Sequence, residues 1–152
     1  FIGPLDISGL GYGTLTIDVV LVDGSLNAGD PVVETASFTA PDITAPNGYS
    51  ITNISVDNVN DELSFDISGA EVGATYDVIV SSDGGGTDVT STGSVSNATE
   101  FIGPIDISGL GYGTLTIDVV LVDGSLNAGD PVVETASFTA PDITAPSGYS
   151  IT

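Results

Sequence analysis

The sequence predicts an all-β protein, a seven-stranded antiparallel β-sandwich set in a tandem array. Three observations predict it. Residues 1–52 recur at 101–152 with two changes, Leu5 to Ile105 and Asn47 to Ser147, so the chain samples an array with a period of 100 residues. Within a period, apolar and polar residues alternate with period two, broken every 8–12 residues by Gly, Asn, Asp or Pro. No stretch carries a 3.6-residue period, and 20 Gly with 8 Pro disfavour long helices.

Seven strands follow in order. The first, 49–56, places Tyr49 and Ile51 inward and then Ile54 and Val56, a switch of parity that suggests a bulge or a change of sheet. The second, 62–68, alternates Leu63, Phe65 and Ile67 with Ser64, Asp66 and Ser68; the third, 74–82, sets Tyr76, Val78 and Val80 inward. Gly84-Gly85-Gly86 reads as the loop into a fourth strand, 87–96, and a fifth covers 101–108. Glycines 109, 111 and 113 mark the turn before the clearest strand, 114–122, with Leu115, Ile117, Val119 and Leu121 on one face. The last strand covers 132–139. Seven short strands in about 100 residues favour an immunoglobulin-like sandwich. Outward Ile79, Val120 and Val122 read as ordinary surface apolarity, with a lateral packing patch as the functional alternative.

The array is sampled out of phase. One period, residues 46–145, makes a complete domain; 1–45 is the C-terminal half of a preceding copy, and 146–152 is the first strand of the next. A half copy buries too little surface to be stable alone, so it needs a partner.

Composition excludes whole classes of function. The chain has 21 Asp and Glu and no Lys, Arg, His, Cys, Met or Trp; residues 46–145 carry 15 of those acids. Nucleic acid and anionic lipid are bound through cationic side chains, so neither is an expected partner, and this segment makes no direct membrane contact. Catalysis is not expected where carboxylates and hydroxyls alone remain to move protons. Disulfides, Lys–Asn isopeptide cross-links and Thr–Gln esters are all excluded by the missing Cys, Lys and Gln. An uncompensated charge of this size calls for screening salt or bound cations.

Several motifs together resemble one family. Asp42-Ile43-Thr44-Ala45-Pro46-Asn47-Gly48-Tyr49-Ser50, repeated from Asp142, is similar to the D-x-T-A-P start of bacterial Ig-like repeats. Gly69-Ala70-Glu71-Val72-Gly73-Ala74-Thr75-Tyr76, the triple glycine and Gly113-Thr114-Leu115-Thr116 before Asp123 look similar to the same repeats. These occur in very large surface adhesins and biofilm-associated proteins. Where that family often has D-x-x-G-N-x-G, this chain reads Asp123-Gly124-Ser125-Leu126-Asn127-Ala128-Gly129, with Leu126 at the glycine position. The resemblance implies an extracellular location at the bacterial surface and junctions rigidified by Ca²⁺.

Sandwich topology says where such a metal would sit. Asp42 of the linker is expected beside Glu71, Asp123, Asn127 and Asp130 at the incoming pole, and Asp57 and Asp61 beside Asp142 at the outgoing pole. Hard oxygen donors of this kind are what Ca²⁺ takes, six to eight at a time. The bland alternative is that Asp and Asn sit in turns for backbone reasons. The leading reading is a structural adhesin stalk, or biofilm-matrix fibre, of calcium-stiffened repeats whose partners are neighbouring repeats of the same protein. A second is a self-assembling filament or surface layer built by inter-chain strand complementation, with lateral homopolymer contacts. A third is a polysaccharide-binding module, for which repeated Tyr12/Tyr112 and Tyr49/Tyr149 are the aromatic candidates.

Overall fold

A computed structural model describes residues 3–142 together with 147 and 148. The expected opening strand of the next repeat, 146–152, lies almost wholly outside the described residues. The chain divides into two compact units, Phe1–Asp42 and Ile43–Thr152. Among the described residues there is no helix, and nine strands form three antiparallel sheets.

The first unit is a two-stranded sheet of β1 (Gly13–Val19) and β2 (Val32–Phe38). The second holds β3 (Ser50–Asp57), β4 (Glu62–Ser68), β5 (Thr75–Ser82), β6 (Val89–Ser94), β7 (Thr99–Asp106), β8 (Gly113–Val122) and β9 (Val132–Phe138). One of its sheets has the order β3-β4-β7 and the other β6-β5-β8-β9. Both contribute to a single apolar cluster, with Leu63, Phe65, Ile67 and Ile102 from the first sheet and Val78, Val80, Leu115, Ile117 and Val119 from the second. Two sheets closing on one core is an arrangement compatible with a β-sandwich.

Alternation does the sorting. Along β4 the burial runs half-buried, buried, half-buried, and along β8 Leu115, Ile117, Val119 and Leu121 are all fully buried. The parity switch in β3 is a bulge and not a change of sheet: both halves pair with β4, and the register slips between Thr52 and Ser55. Asn53 takes the left-handed turn there at φ 53°, a conformation Asn tolerates, and its amide donates to the Asp66 carboxylate at 2.8 Å. A second slip, between Leu63 and Phe65 on β4, lies opposite Gly103 and Pro104. The fourth strand is shorter than expected by two residues at each end, covering 89–94 of 87–96. The fifth begins two residues earlier, where Thr99 and Glu100 pair with Ser68 and Ile67.

The two units share sequence but not burial. Ile17, Leu21 and Leu10 are 46%, 78% and 54% exposed, while Ile117, Leu121 and Leu110 are 0%, 0% and 7% exposed. Fully burying a side chain of this size contributes roughly 1.5–3 kcal/mol. Among the described residues, the second unit has strands β3–β7 and the first has no counterpart of them.

Candidate functional site

At the incoming pole, Asp123 builds the loop between β8 and β9. Its Oδ1 accepts the backbone N–H groups of Ser125 and Asn127, both at 2.8 Å, and its Oδ2 accepts the Asn127 side-chain amide at 2.8 Å. Leu126 sits at φ 69° inside that cradle with its side chain 84% exposed, so it takes the left-handed position without meeting the core. These bonds, the Asn127 amide foremost, hold the Asp123 carboxyl below the ordinary carboxylate range. The first unit repeats the geometry: Asp23 accepts from Ser25 and Asn27 at 2.8 and 2.9 Å, and Leu26 has φ 66°.

The other residues expected at this pole do other things. Asp130 accepts the Tyr49 hydroxyl through its backbone carbonyl and leaves its side chain exposed. Glu71 is exposed in the loop between β4 and β5, where its carbonyl accepts the Ala74 N–H at 3.1 Å. Asp42 closes the first unit. The segment opening the second unit does lie against the expected loops: a Cβ on Gly129 would meet the Pro46 carbonyl at 2.5 Å, and one on Gly69 would meet the Gly48 carbonyl at 3.1 Å.

At the outgoing pole, Asp57 shapes the β3–β4 turn by accepting the N–H groups of Val59 and Asn60 at 2.9 and 3.1 Å and the Asn60 amide at 2.8 Å. The Asn60 amide is the main cause of its lowered pKa. Asn58 Oδ1 accepts the Thr139 N–H at 2.8 Å, tying the turn to the end of β9. Asp61 is held at φ 53° with its carbonyl accepting Ile107 N–H at 2.9 Å, and its Oδ1 is buried without a hydrogen-bond partner. Glu62 stands opposite Asp106 across β4 and β7. Asp142 is exposed, and residues 143–146 after it lie outside the described residues.

Asp57 and Asp123 each accept turn donors on both carboxylate oxygens. Asp61 differs from both in leaving one buried carboxylate oxygen without a hydrogen-bond partner. Among the described residues no group of three or more acidic side chains is placed to hold a metal ion.

Two glycine motifs whose pairing the sequence did not signal prove to be a single device. The loop 84–86 passes against 109–113 backbone to backbone: Gly111 N–H donates to the Gly85 carbonyl at 2.7 Å, and Gly86 bridges Leu110. A Cβ on Gly84 would stand 2.2 Å from the Tyr112 carbonyl, and one on Gly111 would stand 2.2 Å from that of Gly84. Asp83 Oδ1 caps the arrangement by accepting Thr114 N–H at 2.6 Å.

A cavity of about 230 Å³ opens beside Pro46, Tyr49, Asp130, Pro131 and Val132. Asp130 is the carboxylate among its lining residues. Tyr49 is 6% exposed and so offers no stacking platform there. Tyr112 is 49% exposed with its ring against Phe138 at 4.8 Å. On the outer face of the four-stranded sheet, Ile79 and Val133 both stand opposite Asp118, and Val120 stands opposite Asp77. Carboxylates interrupt that patch, and ordinary surface apolarity accounts for it.

No family model matches the chain, and no curated protein matches it. Among solved structures the chain is similar to the tetra-tandem repeat in the extending region of a large adhesion protein, at 26% identity and a TM-score of 0.43. The likeness covers 91% of this chain and 35% of that one, so the chain spans about a third of its length. A TM-score of 0.43 is too low for either fold or function to be carried across.

Proposed function

We propose that this chain is part of an extracellular bacterial adhesin stalk, a tandem array of Ig-like sandwiches whose task is reach. The observation that carries this reading is the equivalence of local geometry in the two copies. The Asp23 and Asp123 cradles, the Ser8 and Ser108 N–H groups each 2.9 Å from the Asp6 and Asp106 carboxylates, and the Tyr12–Phe38 and Tyr112–Phe138 ring pairs at 4.8 Å recur at a fixed offset. A motif that rebuilds itself at each period adds a constant rise per copy, and length then scales with copy number. Acidic side chains spent on turns, as at Asp23, Asp57 and Asp123, are in keeping with a spacer.

Counter-charge completes the reading. Each period adds 15 carboxylates without a cationic side chain. Divalent cations, calcium among them, are proposed to neutralise the poles, and the buried, unpartnered Oδ1 of Asp61 is the feature of the second unit that supports this. Small-angle scattering of a multi-repeat array in calcium and in excess chelator tests this. The expected result is a stiff rod that shortens and bends when calcium is removed. An array equally stiff and equally heat-stable in chelator removes calcium from the reading, and a compact globule in both conditions removes the stalk.

A further inference from the structure

Pro46 and Tyr49 are buried at the start of the second unit, and the two residues between them, Asn47 and Gly48, are exposed. Both flanks are packed closely against backbone. A Cβ on Gly129 would stand 2.5 Å from the Pro46 carbonyl, and one on Gly69 would stand 3.1 Å from the Gly48 carbonyl. Asn47 is the one asparagine in the sequence followed by glycine; the other six precede Ala, Ile, Val or Asp. Its amide is loosely tethered, donating to the Ala45 carbonyl at 3.3 Å, just beyond the usual N–H···O range. The amides of Asn53, Asn60 and Asn127 donate to carboxylates at 2.8 Å. The Asn97 amide is as loose, 3.4 Å from Glu100, but the methyl of Ala98 crowds the nitrogen that follows it.

We propose that Asn47–Gly48 is a self-modifying site, where the side-chain amide is lost spontaneously and part of the product carries its main chain through the side chain. The Gly48 backbone nitrogen gives up its proton to hydroxide and bonds to Asn47 Cγ, closing a cyclic imide. The Cγ–Nδ2 bond breaks, and that nitrogen takes up a proton from water and leaves as ammonia. Water then opens the ring in one of two ways. Breaking the bond between the Gly48 nitrogen and Cγ leaves aspartate. Breaking the bond from that nitrogen to the Asn47 carbonyl carbon leaves isoaspartate, whose chain runs through Cβ and Cγ. One water enters, one ammonia departs, and nothing is oxidised or reduced. Residue 48 without a Cβ leaves its nitrogen open to this approach, and the covalent tether holds nitrogen and Cγ together as a high local concentration would.

Both products change the segment that opens the second unit. Aspartate puts a second carboxylate on the wall of the cavity that Asn47 and Asp130 line. Isoaspartate adds an atom to the main chain between Pro46 and Gly48, which are packed against Gly129 and Gly69 on either side. The added length is taken up by displacing Gly48 and Tyr49. The hydroxyl bonds of Tyr49 to Asp130 and Leu121 are what that displacement breaks. The following copy supplies an internal control. Ser147 precedes Gly148, whose φ of 84° is close to the 72° of Gly48, and Ser147 has no amide to lose.

The test is to age the full folded chain in mildly alkaline buffer and then cleave it after aromatic residues, since it offers trypsin no site. The peptide 39–49 is expected to gain the mass difference between a hydroxyl and an amino group and to split into two forms. One of them should accept a methyl group from an isoaspartyl methyltransferase. The peptide 139–149 should be unchanged. The denaturant midpoint of the aged chain should fall below that of the fresh one, while aged Asn47→Ser should keep its midpoint. An Asn47 amide still intact when a free peptide of residues 39–49 has reacted fully overturns the proposal. So does a product that is all aspartate, or a conversion that leaves the midpoint where it was.

Discussion

The Tyr49 hydroxyl is shared between two residues that flank the β8–β9 loop: it donates to the Asp130 carbonyl at 2.5 Å and accepts the Leu121 N–H at 3.3 Å. Leu121 also receives the Gly129 N–H on its carbonyl at 2.8 Å. The tyrosine therefore pins the opening segment of the second unit to the loop that Asp123 builds. Tyr49→Phe keeps the ring in the core but strands a buried N–H. A loss of about 1–3 kcal/mol is expected. It should be read as a lower denaturant midpoint at unchanged slope.

The glycine arch gives a paired prediction from one sequence motif. Gly111→Ala drives a methyl into the Gly84 carbonyl, whereas Gly11→Ala meets open space. The first should lower the thermal midpoint by about 5 °C or more. The second should leave it unchanged. Equal effects would mean that the two loops do not pack as described.

Asp123→Ala and Asp23→Ala form a second pair. Each removes the acceptor of two backbone N–H groups and one side-chain amide. Only Asp123 lies in a loop locked to a core through Tyr49. Asp123→Ala is expected to cost about 1–3 kcal/mol in the unfolding of the second unit, and Asp23→Ala nothing in that transition.

The same carboxylates fix the response to acid. Asp57 and Asp123 titrate below their ordinary values, each chiefly because an Asn amide donates to the ionised form, and Glu100 does so because the Ser96 N–H donates to it. A depressed folded-state pKa means that the unfolded chain binds more protons. The stability these groups contribute is fully present above about pH 4 and is lost as pH falls through their lowered values. Carbon-detected titration of the Asp123 carboxyl should show a midpoint below the usual 3.9 or so, with amide exchange at Ser125 and Asn127 accelerating over the same range. A midpoint at or above that value would contradict the cradle.

Strand positions were legible in the sequence because the alternation of β4, β5 and β8 is a local property that burial on one face imposes. The parity switch around Asn53 was legible for the same reason, since a bulge moves side chains by one position. The fate of individual carboxylates was not. Asp57 and Asp123 close hydrogen-bonded cradles, while Asp61, at the other end of the Asp57 turn, leaves a buried oxygen bare. That difference depends on whether an Asn three or four residues on folds back to donate. The meeting of Gly84–Gly86 with Gly109–Gly113 was equally hidden, because neither loop contains anything that names its partner.

The sequence by itself determined the period, the strands, the missing chemistries and the sign of every surface, all of which follow from composition and local pattern. Tertiary structure alone decided which distant groups meet, as where the Tyr49 hydroxyl reaches Asp130 and Leu121 and the loop 84–86 packs against 109–113. Packing against a distant segment is not encoded in the residues that receive it, because a local pattern fixes which face is buried but not what covers it.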